Sequence, residues 1–359
     1  MPDRGTSIRP RAELAAIEPY VAGRQPAERE LRALRLASNE NPLGPSPLAA
    51  AAAMAALSDA HRYPDRAATR LKAALAERHG LATDHFAVGN GSDDLIYLLA
   101  EVYLEAGRTV VIADPPYSLH RIAAQTRGAA LVPIPLVEHR HDLDAMARAT
   151  AGGGWVVVTN PHNPTGTAVP PAALRRFLEG LPDDVLAIVD EAYFEFAEDG
   201  LRWSAIELVP DRPNVIVLRT FSKVYGLAGL RVGYAVGTPA LIEPVERIRP
   251  PFNVSVVAQA AAAAALRDEA HLARTLDCVR TSRRALLAAC RRLDLEAIPS
   301  QANFVLLRAR GGWPATLAAA GVIVRPGENL GMPGWARVSL GTPEETGRVI
   351  ALLEAALGA

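Results

Sequence analysis

Of the 359 residues only Lys72 and Lys223 are lysines, while every other basic residue is arginine. Lys223 lies in the stretch RTFSKVYGLAGLRVGY, Arg219 to Tyr234. A guanidinium stays protonated and cannot act as an amine nucleophile. A lysine whose pKa is lowered can lose its proton and form a Schiff base. A lysine kept here in an arginine-rich chain points to amine chemistry, against the plainer reading of a surface lysine left by chance.

Other stretches carry groups that could serve such chemistry. In GNGSDDLIYLLAEVYL, small and polar residues run into an apolar helix, with Ser92 or Asp93 as candidate cap. The free N–H groups that follow Gly91 would favour an anion at the positive helix end. Alone, an ordinary glycine turn explains the stretch equally well. It matches neither a dinucleotide fingerprint nor a P-loop. TNPHNPTG holds two Asn-Pro steps, and Asn before Pro is pushed to extended geometry, so a rigid loop could fix the Asn163 amide. VDEAYFEF ends a buried run with Asp190 and then presents Tyr193; the carboxylate reads as a helix cap or a ligand group. His139 and His141 in HRHD read as a solvated loop, and no metal site is expected.

These clusters need elements to position them. TVVIAD, WVVVT, VLAIVD and NVIVLRT are β-branched runs that each end abruptly in polar or Gly/Pro residues, with helix-length segments between them. Buried strands alternating with helices predict an α/β fold whose mostly parallel sheet is covered on both faces. Ligands of such sheets sit at the carboxyl ends of the strands, where the polar clusters fall. Residues 1–36 read as an N-terminal arm and 37–251 as the large domain. Residues 252–359 read as a smaller α+β domain with helices over Val256 to Leu266 and His271 to Leu293, strands in NFVLLRA and ARVSL, and a terminal helix from Glu344.

Bulk composition narrows the function classes. Half the residues are hydrophobic, 21% are charged and the net charge is −1. Without a basic block, nucleic acid and anionic membranes are poor partners. Cys278 and Cys290 match no ligand spacing and fit a reducing cytoplasm. No apolar segment follows the early arginines, so no secretory signal is read. The apolar run from Val256 to Leu266 is too short to cross a bilayer.

A reactive lysine, an anion-binding helix start, an Asp, an Asn and a Tyr together match the needs of pyridoxal 5′-phosphate. That cofactor requires an aldehyde-binding lysine, a phosphate cradle, a carboxylate at its pyridine nitrogen and donors at its phenolic oxygen. NPHNPTG, VDEAY and SKVYGLAGLRVGY, in this order, resemble the fold-type I pyridoxal-phosphate aminotransferases of classes I and II. IEPYVAGR, ASNENPLG, HRYPD, GNGSDDLI, PPYSLHR, QANFVL and ARVSLGTPEE resemble the histidinol-phosphate branch. The similarity runs from about Tyr20 to the C-terminus.

The resemblance implies roles residue by residue. Lys223 would anchor the cofactor covalently and shuttle the proton. Asp190 would keep the pyridine nitrogen protonated, Asn163 and Tyr193 would bond the phenolic oxygen, and Tyr117 would stack on the ring. The phosphate would take Thr220, Ser222, Arg231 and the backbone around Gly91, Ser92 and Asp93, with Tyr63 reaching in from a second subunit. A homodimer with shared active sites follows. Substrate anions would meet Arg325 and Arg337, with Tyr20 closing over them. Amino transfer between histidinol phosphate and 2-oxoglutarate or glutamate is the expected activity. The alternatives are an aromatic or specialised amino-acid aminotransferase, a threonine-phosphate-type decarboxylase and a non-catalytic regulator. His162 before Asn163, His120 in PPYSLH and the lack of an aromatic in RPGENLGMPG depart from the branch, and are expected to touch the substrate pocket.

Overall fold

The computed structural model describes residues 9–23 and 33–358. The parts of the expected arm at 1–8 and 24–32 lie outside the described residues. Seven strands form the larger sheet: β2 (Phe86–Gly89), β3 (Thr109–Asp114), β4 (Ala130–Pro135), β5 (Gly154–Thr159), β6 (Val185–Asp190), β7 (Val215–Thr220) and β8 (Gly233–Val236). Their order is β2-β8-β7-β6-β5-β3-β4, and only β8 runs antiparallel to its neighbours.

The continuous apolar runs are explained by burial on both faces. Side chains alternate across a strand. Val215 and Val217 of β7 enter one core, and Ile216 and Leu218 the other. In β5, Val156 and Val158 face the first core, Trp155 and Val157 the second. The helix Ser92–Tyr103 covers the second core with Leu95, Ile96 and Leu99. The helix Pro171–Glu179 covers the first with Leu174, Phe177 and Leu178.

The smaller sheet contains β1 (Leu34–Leu36), β9 (Ala297–Ile298), β10 (Phe304–Arg308), β11 (Val322–Pro326) and β12 (Trp335–Ser339), in the order β1-β11-β12-β10-β9. Two expected boundaries change here. Leu34–Leu36 is not arm but an edge strand, parallel to β11, with Leu36 buried. The helix Val256–Ala265 packs against the alanine-rich helix Pro47–Ala56, so it joins the elements assigned to the large domain. Small side chains on both helices let their backbones approach closely. Both expected long helices form, as Val256–Ala265 and Glu269–Arg292, and the terminal helix runs Pro343–Leu357 with a Thr342–Glu345 capping box.

Candidate active site

The strand ends β3, β5, β6 and β7 open on a cavity of about 540 Å³, lined among others by Asp114, Thr159, Asp190 and Thr220. Lys223 follows β7 by three residues, half-buried, and its Nζ donates to the Ser38 carbonyl at 3.1 Å. Burial foremost, then the nearby Arg337 charge, pushes its pKa down to about 8. The turn beyond it demands glycine. Gly226 has φ +69°, and a Cβ there would sit 2.2 Å from the Gly44 carbonyl oxygen.

Asp190 closes β6 as a buried carboxylate. One oxygen accepts from Ala192 N (3.1 Å), and the other lies 2.9 Å from His120 Nε2. A carboxylate can only accept, which puts the imidazole proton on Nε2. His120 is buried, packs edge-on against Tyr117 at 5.8 Å and is absent from the cavity lining. The expectation that it touches the substrate pocket is therefore corrected: from its helix it points behind the cavity and orients Asp190. His162 likewise turns away, its Nδ1 3.0 Å from Thr165 Oγ1.

Asn163 and Tyr193, which the resemblance assigns to one oxygen, lie side by side. Tyr193 Oη accepts from Asn39 Nδ2 at 3.0 Å and from Asn163 Nδ2 at 3.5 Å, and burial raises the phenol's pKa. Asn163 Oδ1 accepts from Arg337 Nη1 at 2.7 Å, and Arg337 Nη2 donates to Ala37 O at 2.9 Å. Arg325 Nη2 donates to the Val21 carbonyl, bringing the segment of Tyr20 to the cavity wall.

An anion cradle lies at the start of the helix Ser92–Tyr103. Gly91, not Ser92 or Asp93, is its N-cap, and no side chain caps it, which corrects the sequence expectation. Asp93 instead accepts from Tyr117 Oη (3.0 Å) and from Arg231 Nη2 (3.2 Å). Arg231 Nη1 donates to Ser222 Oγ at 3.3 Å, and Ser222 N to Thr220 Oγ1 at 3.1 Å. At Gly91, φ is +86° and a Cβ would stand 2.5 Å from Arg231 Nη2. The uncapped amides and this guanidinium form a site for a small anion.

A buried ion cluster braces the two strand ends that carry Asp190 and Lys223. Arg219 donates through Nε to Glu191 Oε2 (2.8 Å), through Nη1 to Glu195 Oε1 (3.0 Å) and through Nη2 to Ser204 Oγ (3.0 Å). Burial raises the pKa of the Glu191 carboxyl, and the Arg219 guanidinium opposes the rise by favouring the charged form.

Tyr63 is not in this cavity. It stands 82% exposed, stacked on Phe252 with ring centroids 4.6 Å apart. HRHD also departs from expectation. His141 is buried, with Nε2 2.9 Å from Thr159 O and its ring edge-on to His162, and burial lowers its pKa to about 4. Among the described residues no group of three or more His, Cys, Asp or Glu side chains is placed to hold a metal. Sequence reasoning missed Asn39, which the strand β1 delivers to Tyr193, and Arg121, which lines the cavity. Arg121 carries a readable signal: it follows Ser118 by three residues in the same helix, so both share the face that lines the cavity.

The Aminotransferase class I and II family profile matches residues 32–353. The histidinol-phosphate aminotransferase of Symbiobacterium thermophilum is 45% identical, with 97% of this chain and 98% of that one covered. Histidinol-phosphate aminotransferase 1 of Cupriavidus pinatubonensis is 44% identical over 95% of each chain. The crystal structure of histidinol-phosphate aminotransferase from Sinorhizobium meliloti, in complex with pyridoxal-5′-phosphate, superposes with a TM-score of 0.89 at 29% identity and covers 99% of both chains. A lysine, a buried carboxylate and an anion cradle thus converge on one cavity in a fold shared from end to end, and the chain belongs to the class I and II aminotransferase family.

Proposed function

We propose that the chain is a pyridoxal-phosphate aminotransferase that moves an amino group between histidinol phosphate and 2-oxoglutarate. The observation that carries the chemistry is the convergence of Lys223, Asp190 and the Gly91–Arg231 cradle on one cavity. The donor is supported by relatives 44–45% identical over nearly the whole chain that bear that activity in their names.

The residues fit the cofactor. The cradle has uncapped amides and a guanidinium for a phosphate, and no room for a Cβ at Gly91. When bound, pyridoxal phosphate supplies an aldehyde that takes up the amino group and a ring that accepts electrons. Asp190, oriented by His120, holds a proton at the pyridine nitrogen. Asn163 and Tyr193 donate toward the phenolic oxygen, and Tyr117 packs on the ring. Lys223, whose Nζ is made easier to deprotonate by burial, would hold the cofactor and serve as the base that takes up a proton from the donor's reacting carbon. Arg325 and Arg337 face the substrate's anions and Tyr20 covers them. His120 gives no support to the aromatic alternative, because it lies outside the pocket.

A half-reaction screen with histidinol phosphate, phenylalanine, tyrosine, aspartate and arginine tests the donor. Histidinol phosphate is expected to lead; phenylalanine or tyrosine leading by about tenfold would replace it, a difference of roughly 1.4 kcal/mol.

The working unit is a homodimer with shared sites, in which Tyr63 reaches the partner's phosphate. Leu48 and Met54 of the helix Pro47–Ala56, with Leu57 and the stacked pair Tyr63–Phe252, are exposed apolar side chains of the kind that a second copy covers. Mixing inactive Lys223→Ala with an inactive Tyr63→Ala variant should yield partly active hybrids, since one of their two sites regains both groups. A fully active monomer would exclude the shared site. Three domains, at 1–36, 37–251 and 252–359 and adjusted as above, and a cytoplasmic location complete the proposal. No described helix is long and apolar enough to cross a membrane.

A further inference from the structure

We propose that Arg121 is a specificity residue that recruits the phosphate of the amino donor, and that Glu18 of the N-terminal segment holds its place until that anion arrives. The inference rests on the donor proposed above and names the residue that selects it.

Among the described residues four arginines line the cavity: Arg121, Arg231, Arg325 and Arg337. Three are held by fixed groups. Arg231 bonds Ser222 and Asp93, Arg337 bonds Asn163 and Ala37 O, and Arg325 bonds Val21 O. Arg121 differs. Its Nη2 lies 3.9 Å from a carboxylate oxygen of Glu18, and the two side chains are 39% and 85% exposed. A pair this open is weak and screened by salt, so another anion displaces it readily. The Nε of Arg121 is buried without a partner among the described residues, as are those of Arg325 and Arg337, so what sets Arg121 apart is its weak, open ion pair.

The placement follows from the chain. Arg121 stands with Ser118 and Ile122 on the face of the helix Ser118–Thr126 that looks into the cavity. The N-terminal segment lies along the same helix, because Arg11 Nη2 donates to Thr126 O at 2.8 Å and Glu18 meets Arg121. Glu18, Tyr20 and Val21 then continue along the cavity wall.

Charge supplies the selection. A phosphate monoester carries between one and two negative charges near neutral pH, and a carboxylate carries one. Arg325 and Arg337, already bonded to Val21 O and to Asn163 and Ala37 O, face the singly charged carboxylates of 2-oxoglutarate and glutamate. The further charge of a phosphate calls for an additional guanidinium that is not already held, and Arg121 supplies it by exchanging Glu18 for the substrate.

Two titrations of the holoenzyme at low salt test this. In the first, inorganic phosphate competes with glutamate in the half-reaction of wild type, Arg121→Gln and Glu18→Gln. Arg121→Gln should weaken phosphate inhibition about tenfold, as expected for one lost charged hydrogen bond, and Glu18→Gln should tighten it about two- to threefold. In the second, histidinol phosphate is compared with histidinol, the same donor without its phosphate. Arg121→Gln should raise KM for histidinol phosphate about tenfold with kcat little changed, and the losses for histidinol and glutamate should be several-fold smaller. Amide exchange in residues 12–23 should quicken in Glu18→Gln. Unchanged phosphate inhibition in Arg121→Gln, or equal losses for histidinol phosphate and histidinol, overturns the assignment. A wild type that fails to use histidinol phosphate removes the proposed donor instead, while the inorganic phosphate titration still decides the role of Arg121.

Discussion

Lys223→Ala is expected to lose at least about 10⁴-fold in kcat, the scale on which removal of a covalent catalytic group is felt. Lys223→Arg should be equally inactive. The guanidinium keeps the charge but offers no free amine, and charge is not what the position supplies. Both variants should still take up pyridoxal phosphate through the Gly91–Arg231 cradle, which the substitution leaves intact. Stability provides a separate check. The folded pKa of Lys223, about 8, lies below the ordinary lysine value of 10.5. The folded protein therefore binds this proton less tightly than the unfolded chain does. Its protonation costs stability below about pH 8, and the cost is relieved as pH rises from about 8 toward 10.5. Cofactor-free Lys223→Ala should accordingly match or exceed the wild-type Tm at pH 7. Substantial turnover by either variant would refute the assignment.

Asp190→Asn is the second large effect. The amide keeps the shape of the carboxylate but removes the charge that holds a proton at the pyridine nitrogen. A loss of about 10²–10³ in kcat is expected, the size of a preorganised electrostatic contact removed from a buried site. His120 makes the outcome informative. Its Nε2–H loses an ionised acceptor and keeps only a neutral one at 2.9 Å. The folded structure and Tm should change far less than kcat. A variant within tenfold of wild type would sink the role given to Asp190.

Much of this site was legible because its groups sit where strands end. Asp190 closes VLAIVD, Thr220 closes NVIVLRT, and Asn163 follows WVVVT by four residues, so a parallel sheet gathers them with no further information. Groups placed by helix phase or long-range packing were harder to read. His120 and Arg121 are neighbours in sequence, yet one bonds Asp190 behind the cavity and the other lines its wall. Adjacent helical residues point about 100° apart, so a motif alone does not separate them. His141 reads as solvated in a polar stretch, yet it is buried, with Nε2 2.9 Å from Thr159 O and its ring edge-on to His162. Leu34–Leu36 is too short to show a strand pattern, and its partner β11 lies almost three hundred residues away. The helix Val256–Ala265 was assigned by its place in the chain, whereas its small side chains pair it with Pro47–Ala56. The proposed dimer would account for the exposure of Tyr63 and Phe252, which the sequence of one chain does not explain.

One measurement tests amino transfer most directly. The absorbance of the bound cofactor is followed in a single sample, first with histidinol phosphate and then with 2-oxoglutarate after the excess donor is removed. An aminotransferase for this donor loses the absorbance in the first step and regains it in the second, with the amino group recovered as glutamate. Loss without recovery would indicate a decarboxylase or a dead-end adduct, and no loss with histidinol phosphate would contradict the proposed donor.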